Sequence, residues 1–184
     1  MAKLVDHPVL DYVRGLPAYQ QLLEQLREGG FKDQERFGLG LPRASRLAVL
    51  AGLHVDLQVP VVLLTNRADR ALELYDELSF WLPEGNNLYF PEPNPLFYEN
   101  LPWSQSTRRE RLHVLTELAK YLLPGAEPNV TPPVIIAPIR AVMTKTVPRR
   151  DFLRASQRLS LGDQRDLQEL ARSWVGLGYQ YSNI

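Results

Sequence analysis

Two short apolar runs constrain the fold of this chain most strongly. The first, "VPVVLLT", spans residues 59–65, and the second, "PVIIAPI", spans residues 133–139. Both are continuously apolar and rich in β-branched residues, which is typical of parallel strands that are covered on both faces. We therefore expect residues 59–65 to form a central parallel strand. The second run should form another buried strand that passes into a short helix.

Helical patterns flank these strands along the chain. They predict helices at residues 7–14, 17–28, after Pro42, 66–82, 107–123 and 163–175, with "NLYFPE" at 87–92 as a third strand and "ERFGLGL" at 35–41 as a strand running into a turn. The expected inward stripes are Leu72, Tyr75, Leu78 and Leu82 in one helix, and Leu112, Leu115, Leu118 and Leu122 in another. The alternation of strands and helices predicts an α/β fold, a parallel sheet with helices on both faces.

Composition excludes several classes of function. The 184 residues include 21 basic and 21 acidic side chains and no cysteine, so disulfides, thiolate metal sites and cysteine catalysis are excluded. No apolar run has the roughly 18–20 residues that a membrane span requires. No secretory signal begins the sequence, so the cytoplasm is the default expectation. Zero net charge argues against a stand-alone nucleic-acid binder, because such binding depends on phosphate neutralisation.

The stretch "FGLGLPRASRLAVL", residues 37–50, has the outline of a phosphate-binding loop. With Gly40 at the first position of G-x-x-x-x-G-K-[ST], Ser45 replaces the second glycine, Arg46 the lysine and Leu47 the hydroxyl residue that holds magnesium. Pro42 also lacks a backbone N–H that could cradle phosphate. The pattern predicts a structural turn with no nucleotide, no metal and no catalytic residue.

Other polar groups offer no catalytic constellation. His7, His54 and His113 are scattered and lack the spacing of a metal site. "STRRERL" at 106–112 indicates a helix start, capped by Ser106 or Thr107 with Glu110 completing a capping box. The same arginines could also contact a phosphate group.

Two further stretches leave alternatives open. One combines prolines with aromatic residues, and it would either stack nucleic-acid bases or pack its rings beneath a long loop; its rings are Phe90, Phe97, Tyr98 and Trp103. The other is the basic stretch 140–158, which holds six basic residues against Asp151. It fits contact with an acidic partner surface or nucleic acid, or a simply solvated face.

In order and spacing, six segments between about residues 35 and 180 resemble the N-terminal, UvrB-homologous region of the bacterial transcription-repair coupling factors (Mfd). They are "GLPRASRLAVLAGL", "PVVLLTNRADRALELYDELSFWLP", "FPEPNPLFYENLPW", "RRERLHVLTEL", "PVIIAPIRAVMTKTVPRRDFL" and "DLQELARSWVGLGY". The resemblance to the excision-repair protein UvrB, whose first domain has an intact phosphate loop, is more distant.

The resemblance implies a domain organisation. Residues 1–34 would be an N-terminal helical segment, and residues 35–150 a helicase-like domain of the UvrB domain 1a type. Residues 151–184 would begin an inserted second domain. Because the chain stops at "GYQYSNI", just as a segment of strand-like composition begins, we expect it to be a fragment of a longer protein.

The resemblance also implies a function. In the family, this region does not hydrolyse ATP and recruits UvrA through the second domain. The DNA-translocating motor, which uses ATP and magnesium, and the RNA polymerase contact lie elsewhere in the full-length protein. Arg172, and less so Arg165, are the candidate UvrA contacts, both expected on the helix at 163–175. The alternatives are a nucleotide-dependent repair helicase domain of the UvrB kind, or a direct DNA-binding module.

Overall fold

The computed structural model describes residues 7–28, 38–82, 85–93, 102–120, 131–156, 159 and 161–176. The chain divides into two compact units, Met1–Lys145 and Thr146–Ile184. The domain limits expected from the sequence, at residues 34 and 150, stay predictions. Among the described residues, no helix combines the length and apolarity needed to cross a membrane.

Helices and strands alternate through the first unit. Its elements are α1 (Pro8–Gly15), α2 (Pro17–Glu28), a 3₁₀ turn (Arg43–Ser45), α3 (Arg46–Leu57), β1 (Val61–Thr65), α4 (Ala68–Ser79), β2 (Asn87–Tyr89), α5 (Gln105–Ala119), β3 (Val134–Pro138) and α6 (Ile139–Met143). In the second unit, α7 (Arg149–Ala155) and α8 (Leu167–Gly176) are described. The segment expected to be a strand at 35–41 shows no strand in its described part, residues 38–41.

The three strands form one parallel sheet in the order β1-β3-β2. Val61 lies opposite Val134 in β3, and Asn87 of β2 lies opposite the same residue. This arrangement confirms the α/β prediction. The expectation that residues 59–65 form the central strand is wrong, because β3 occupies the centre and is buried along its whole length.

Side chains of β3 divide the core between the two faces of the sheet. Val134 and Ile136 pack with residues of α1, α3 and α4, whereas Ile135 and Ala137 pack with β2, α5 and α6. Residues along a strand alternate between faces, so one buried strand contributes to both layers. Helices therefore lie on both faces of β3, as the sequence predicts.

Two predicted inward positions are wrong. Leu72 of α4 and Leu112 of α5 are each 48% exposed. Ala71 is fully buried in α4, and Val114 and Arg111 are buried in α5. The inward position is taken one residue earlier in each helix, by Ala71 and Arg111, whereas Leu78 of α4 is buried as predicted.

The start of α5 also differs from the expected cap. Ser104, not Ser106 or Thr107, is the N-cap, and its Oγ accepts a hydrogen bond from the Thr107 N–H at 3.1 Å. Thr107 is then the third helical residue and is buried. An N-cap side chain accepts a hydrogen bond from a first-turn backbone N–H that has no acceptor within the helix.

Helices α1 and α2 attach to α3 through a polar cluster. The Asp56 carboxylate accepts hydrogen bonds from Arg14 Nε at 3.0 Å and from Tyr19 Oη at 2.6 Å. Gly52 makes room for this contact, because a Cβ there would lie 3.0 Å from Tyr19 Oη. Burial alone raises the pKa of Asp56, but the hydrogen bonds from Arg14 and Tyr19 outweigh it and hold the pKa below its ordinary value.

His54 connects α3 to the segment that leads into β3. Its ring is 1% exposed, and Nε2 lies 2.6 Å from the Pro132 carbonyl oxygen. Burial lowers the pKa of His54. Because a carbonyl oxygen can only accept a hydrogen bond, the ring donates its Nε2–H to Pro132. Nδ1 is buried without a hydrogen-bond partner in the described structure. The contact holds α3 against the start of the central strand.

The Arg111 side chain connects the segments that follow β2 and β3 through hydrogen bonds to their backbone carbonyls. Its Nη1 donates to the carbonyl of Pro91, just beyond β2, at 2.8 Å and to that of Ala141, just beyond β3, at 3.2 Å. The guanidinium carbon lies 4.1 Å from the ring centroid of Phe90 and 4.9 Å from that of Trp103. Burial lowers the pKa of Arg111. Two carbonyls and two aromatic rings thus surround a buried charge that forms no ion pair with a described carboxylate, and Nη2 is buried without a hydrogen-bond partner among the described residues.

Replacing Asp56 by Asn should lower the free energy of unfolding by about 1.5–3 kcal/mol at neutral pH, because hydrogen bonds to a charged partner are lost. The folded-state pKa is depressed, so the stabilisation is present above the unfolded pKa of roughly 3.9 and is lost as the pH falls through the folded value. Urea unfolding should therefore show the stabilities of Asp56→Asn and the unsubstituted chain converging in acid. Asp11→Asn is the control: this carboxylate is 59% exposed and 3.5 Å from Arg14, and its loss should change little. If the difference in unfolding free energy between Asp56→Asn and the unsubstituted chain persists unchanged in acid, the role given to the Asp56 hydrogen bonds is contradicted.

Replacing Arg111 by Lys should destabilise the first unit by about 2–3 kcal/mol, since an ammonium can neither lie flat between two rings nor reproduce the planar donor geometry. Thermal or urea unfolding measures the loss. Arg109→Lys, an exposed neighbour on the same helix, is the matched control and should leave stability within about 0.5 kcal/mol. Equal effects of the two substitutions would contradict the role given to Arg111.

Candidate functional site

The loop that leads into α3 is built around its own backbone. Residues 38–42 form no regular structure, and the 3₁₀ turn Arg43–Ser45 leads directly into α3. Ser45 Oγ donates to the Pro42 carbonyl at 3.0 Å. Arg46 Nε donates to the Leu41 carbonyl at 3.2 Å. Both polar side chains at the predicted phosphate-loop positions are therefore hydrogen-bonded to the loop itself.

Leu47 and Gly40 complete the comparison with a phosphate loop. Leu47 is 7% exposed and packs in the core beside Ala51 and Ala71, so an apolar buried side chain stands where a hydroxyl would hold magnesium. A Cβ at Gly40 would meet no heavy atom within 4 Å, and its φ is not in the left-handed region. Neither the packing nor the conformation of the loop requires a glycine there. In this alignment, positions 45–47 carry Ser, Arg and Leu in place of the glycine, lysine and hydroxyl residue of a phosphate loop.

The histidines lie apart from one another, as their spacing suggests. His54 is buried against Pro132, His7 contacts the rings of Phe80 and Trp81, and His113 lies on the exposed side of α5. Within the described residues, no group of three histidine or acidic side chains is arranged to hold a metal ion.

The described part of the aromatic stretch faces inward. Phe90 is 8% exposed and, with Trp103, encloses the Arg111 guanidinium. Both rings contact the Arg111 guanidinium, Phe90 is buried and Trp103 is partly exposed. Phe97 and Tyr98, the other two rings of the predicted stretch, lie outside the described residues.

The predicted partner contacts are in the second unit. The helix expected at 163–175 begins later, at Leu167, where Asp166 Oδ1 accepts hydrogen bonds from the N–H groups of Gln168 and Glu169 at 2.7 and 3.1 Å. Arg165 therefore lies before the helix, not on it. Asp166 caps the N-terminus of α8, because its carboxylate accepts hydrogen bonds from the first backbone N–H groups of the helix.

Arg172 is on α8 and exposed. Its Nε donates to the Gln168 carbonyl one turn earlier at 3.3 Å. Neither Arg172 nor Arg165 forms an ion pair within the described part of the chain. By contrast, four arginines of the first unit have acidic partners: Arg14 with Asp56, Arg67 with Asp69, Arg70 with Glu73 and Glu77, and Arg140 with Glu92. The guanidinium groups of Arg165 and Arg172 thus have no carboxylate partner among the residues that the structure describes.

In the basic stretch 140–158, Arg140 differs from the arginines of α7 because it has an acidic partner. Arg140 Nη1 lies 3.4 Å from Glu92 Oε1, so its charge is shared with an acid at the end of β2. Arg149, Arg150 and Arg154 are exposed on α7. The sequence identified this stretch but could not separate the paired arginine from the exposed ones, because Glu92 is 48 residues away along the chain.

Sequence reasoning missed Arg111 as a structural residue. The signal available was the helical phase Thr107, Arg111, Val114 and Leu118, which repeats at intervals of four, three and four residues. Leu112, Leu115 and Leu118 repeat every three residues on an overlapping face, and this repeat favoured Leu112 over Arg111 as the inward residue. A long arginine side chain can occupy an inward position when carbonyl oxygens lie within reach.

No known protein-family model matches this chain. Two curated proteins are similar to it, and both are named transcription-repair-coupling factor. That of Myxococcus xanthus is 29% identical over 177 residues, covering 93% of this chain and 14% of the relative. That of Bacillus subtilis is 21% identical over 173 residues, covering 94% of this chain and 14% of the relative.

The similarity is weak in identity but extends over nearly the whole chain. The chain spans about 14% of the length of each relative it matches. It is therefore distantly homologous to one region of transcription-repair-coupling factor.

Proposed function

We propose that this chain is a non-catalytic adaptor region that helps to recruit UvrA to stalled RNA polymerase during transcription-coupled nucleotide excision repair. Homology to transcription-repair-coupling factor supports the repair context. The observation that carries the adaptor role is the exposed arginine pair, Arg172 on α8 and Arg165 just before it, which lacks acidic partners among the described residues. A planar guanidinium in this state is suited to bidentate pairing with carboxylates of a partner protein.

The chemistry of the loop before α3 supports an adaptor over a nucleotide-dependent helicase domain. Arg46 and Ser45 are hydrogen-bonded to loop carbonyls, and Leu47 is part of the core. We propose that this region holds neither ATP nor magnesium. In the full-length relatives, nucleotide binding, the DNA motor and the RNA polymerase contact would lie in other parts of the polypeptide.

Arg172→Ala should weaken binding of purified UvrA by about tenfold, which corresponds to the roughly 1–2 kcal/mol typical of an interfacial arginine. Biolayer interferometry with the immobilised chain measures the affinity, and Arg165→Ala should have a smaller effect. Arg67→Ala is the matched control, because this exposed arginine is paired with Asp69 and belongs to the first unit. Binding that Arg172→Ala leaves unchanged would remove Arg172 from the interface. No UvrA binding by the unsubstituted chain would contradict the adaptor role of these 184 residues.

Titration calorimetry with ATP and magnesium should show no binding to the chain.

Gly40→Ala should leave the free energy of unfolding unchanged or raise it by about 0.4–1 kcal/mol, because the added methyl group meets nothing and reduces the freedom of the unfolded chain. Micromolar affinity for ATP, lost in Gly40→Ala, would instead establish a working phosphate loop and favour the helicase alternative.

A further inference from the structure

Helix α7 presents three arginines to solvent, because Arg149, Arg150 and Arg154 are all exposed. Within the described part of the chain, none of the three forms an ion pair. Asp151, the acidic residue of the same helix, is exposed as well and pairs with none of them. The second unit has six arginines and four acidic residues in its sequence, whereas the chain as a whole is neutral. The surface of α7 therefore carries positive charge that no described carboxylate neutralises.

The positions of these arginines do not favour the helix itself. Arg149 and Arg150 lie in its first turn, where the helix dipole disfavours positive charge. Arg150 and Arg154 are one turn apart on the same face, with a rise of about 6 Å between them. Like charges at this spacing destabilise a helix. The stability of α7 therefore does not account for the arrangement, whereas contact with an anionic partner does.

The apolar residues of α7 distinguish between two kinds of anionic partner. Phe152 and Leu153 are half-buried, so α7 exposes no large apolar side chain. Helix α8 differs, because Leu167 is 76% exposed and Val175 is 47% exposed. Protein interfaces use apolar anchors at their centre, whereas contacts to nucleic-acid phosphates come largely from arginine and lysine. The surface of α8 thus suits a protein partner, and that of α7 suits phosphate groups.

We propose that Arg149, Arg150 and Arg154 contact the phosphate backbone of duplex DNA. A duplex carries about one negative charge per 1.7 Å of its axis, twice the density of one strand, so neighbouring arginines of α7 can reach separate phosphates. Such a contact positions the protein on DNA without reading base sequence. Three arginines give a weak, salt-sensitive contact, which is compatible with the zero net charge of the chain. The contact is separate from the UvrA binding proposed for α8.

Fluorescence anisotropy with a labelled duplex of random sequence tests the proposal on the 184-residue chain. Affinity is measured as the NaCl concentration rises from about 50 to 200 mM. Each phosphate contact contributes about 0.9 to the slope of log affinity against log salt, so three contacts predict a roughly fortyfold loss over this range. In Arg150→Ala/Arg154→Ala, one contact remains and the loss should be only about three- to fourfold. No measurable binding by the unsubstituted chain at about 50 mM NaCl would overturn the proposal.

Arg165→Ala/Arg172→Ala is the matched control, because it removes the same charge from the same unit. It should retain the roughly fortyfold loss of affinity. If the two double variants reduce the salt dependence equally, the attraction is a general effect of net charge, and the contact assigned to α7 is contradicted.

Arg150→Lys/Arg154→Lys separates the effect of charge from an effect on the fold. Lysine keeps the positive charge, and counterion release depends on charge, so the salt dependence should match that of the unsubstituted chain. A salt dependence as small as that of the alanine variant would contradict phosphate contact. Tighter binding to single-stranded RNA than to the duplex, at the same salt concentration, would overturn the choice of duplex DNA.

Binding of purified UvrA distinguishes this inference from the function proposed above. Arg150→Ala/Arg154→Ala should leave the affinity for UvrA unchanged, whereas Arg165→Ala/Arg172→Ala should lower it. Loss of UvrA affinity in the α7 variant, with unchanged DNA binding, would assign α7 to an acidic protein surface and overturn the inference. Unchanged UvrA affinity in the Arg165/Arg172 variant would count against the proposed function alone.

Discussion

The first unit depends on the burial of β3 between two neighbouring strands and two layers of helices. Its five residues are all buried, and its side chains supply apolar contacts to the core on both faces. Polar contacts at both ends fix its position. His54 holds the segment before it through Pro132, and Arg111 holds the segment after it through Ala141. Since buried carbonyls need partners, each contact satisfies a group that would otherwise destabilise the fold.

Much of this architecture follows from local patterns in the sequence. Continuous apolar runs identified β1 and β3, and Pro17 together with the leucines of α2 indicated a helix at 17–28. The central place of β3 could not be derived in the same way, because both runs are short, almost wholly apolar and rich in β-branched residues. Strand order depends on contacts between residues far apart in sequence, such as Val61 with Val134. The inward turn of Arg111 likewise depends on carbonyls that only the folded sheet brings together.

The candidate site shows a similar division. The sequence alone shows that Ser45, Arg46 and Leu47 depart from the phosphate-loop motif, because each of these positions has a defined chemical role in that motif. What these side chains do in place of that role was not readable, because their partners are loop carbonyls and the core. Arg165 and Arg172 were named as candidates by resemblance, and their role in binding UvrA stays a prediction. The sequence could not predict that these two arginines have no acidic partner among the described residues, because ion pairs depend on the folded structure.

The central claim is that these 184 residues act by binding a partner protein through α8 and not by binding nucleotide at the loop before α3. Amide hydrogen exchange of the chain, measured with and without purified UvrA, tests both halves of this claim together. The account predicts slower exchange within Leu167–Gly176 and unchanged exchange across Gly40–Leu47. Slower exchange at Gly40–Leu47 with no change in α8 would contradict it.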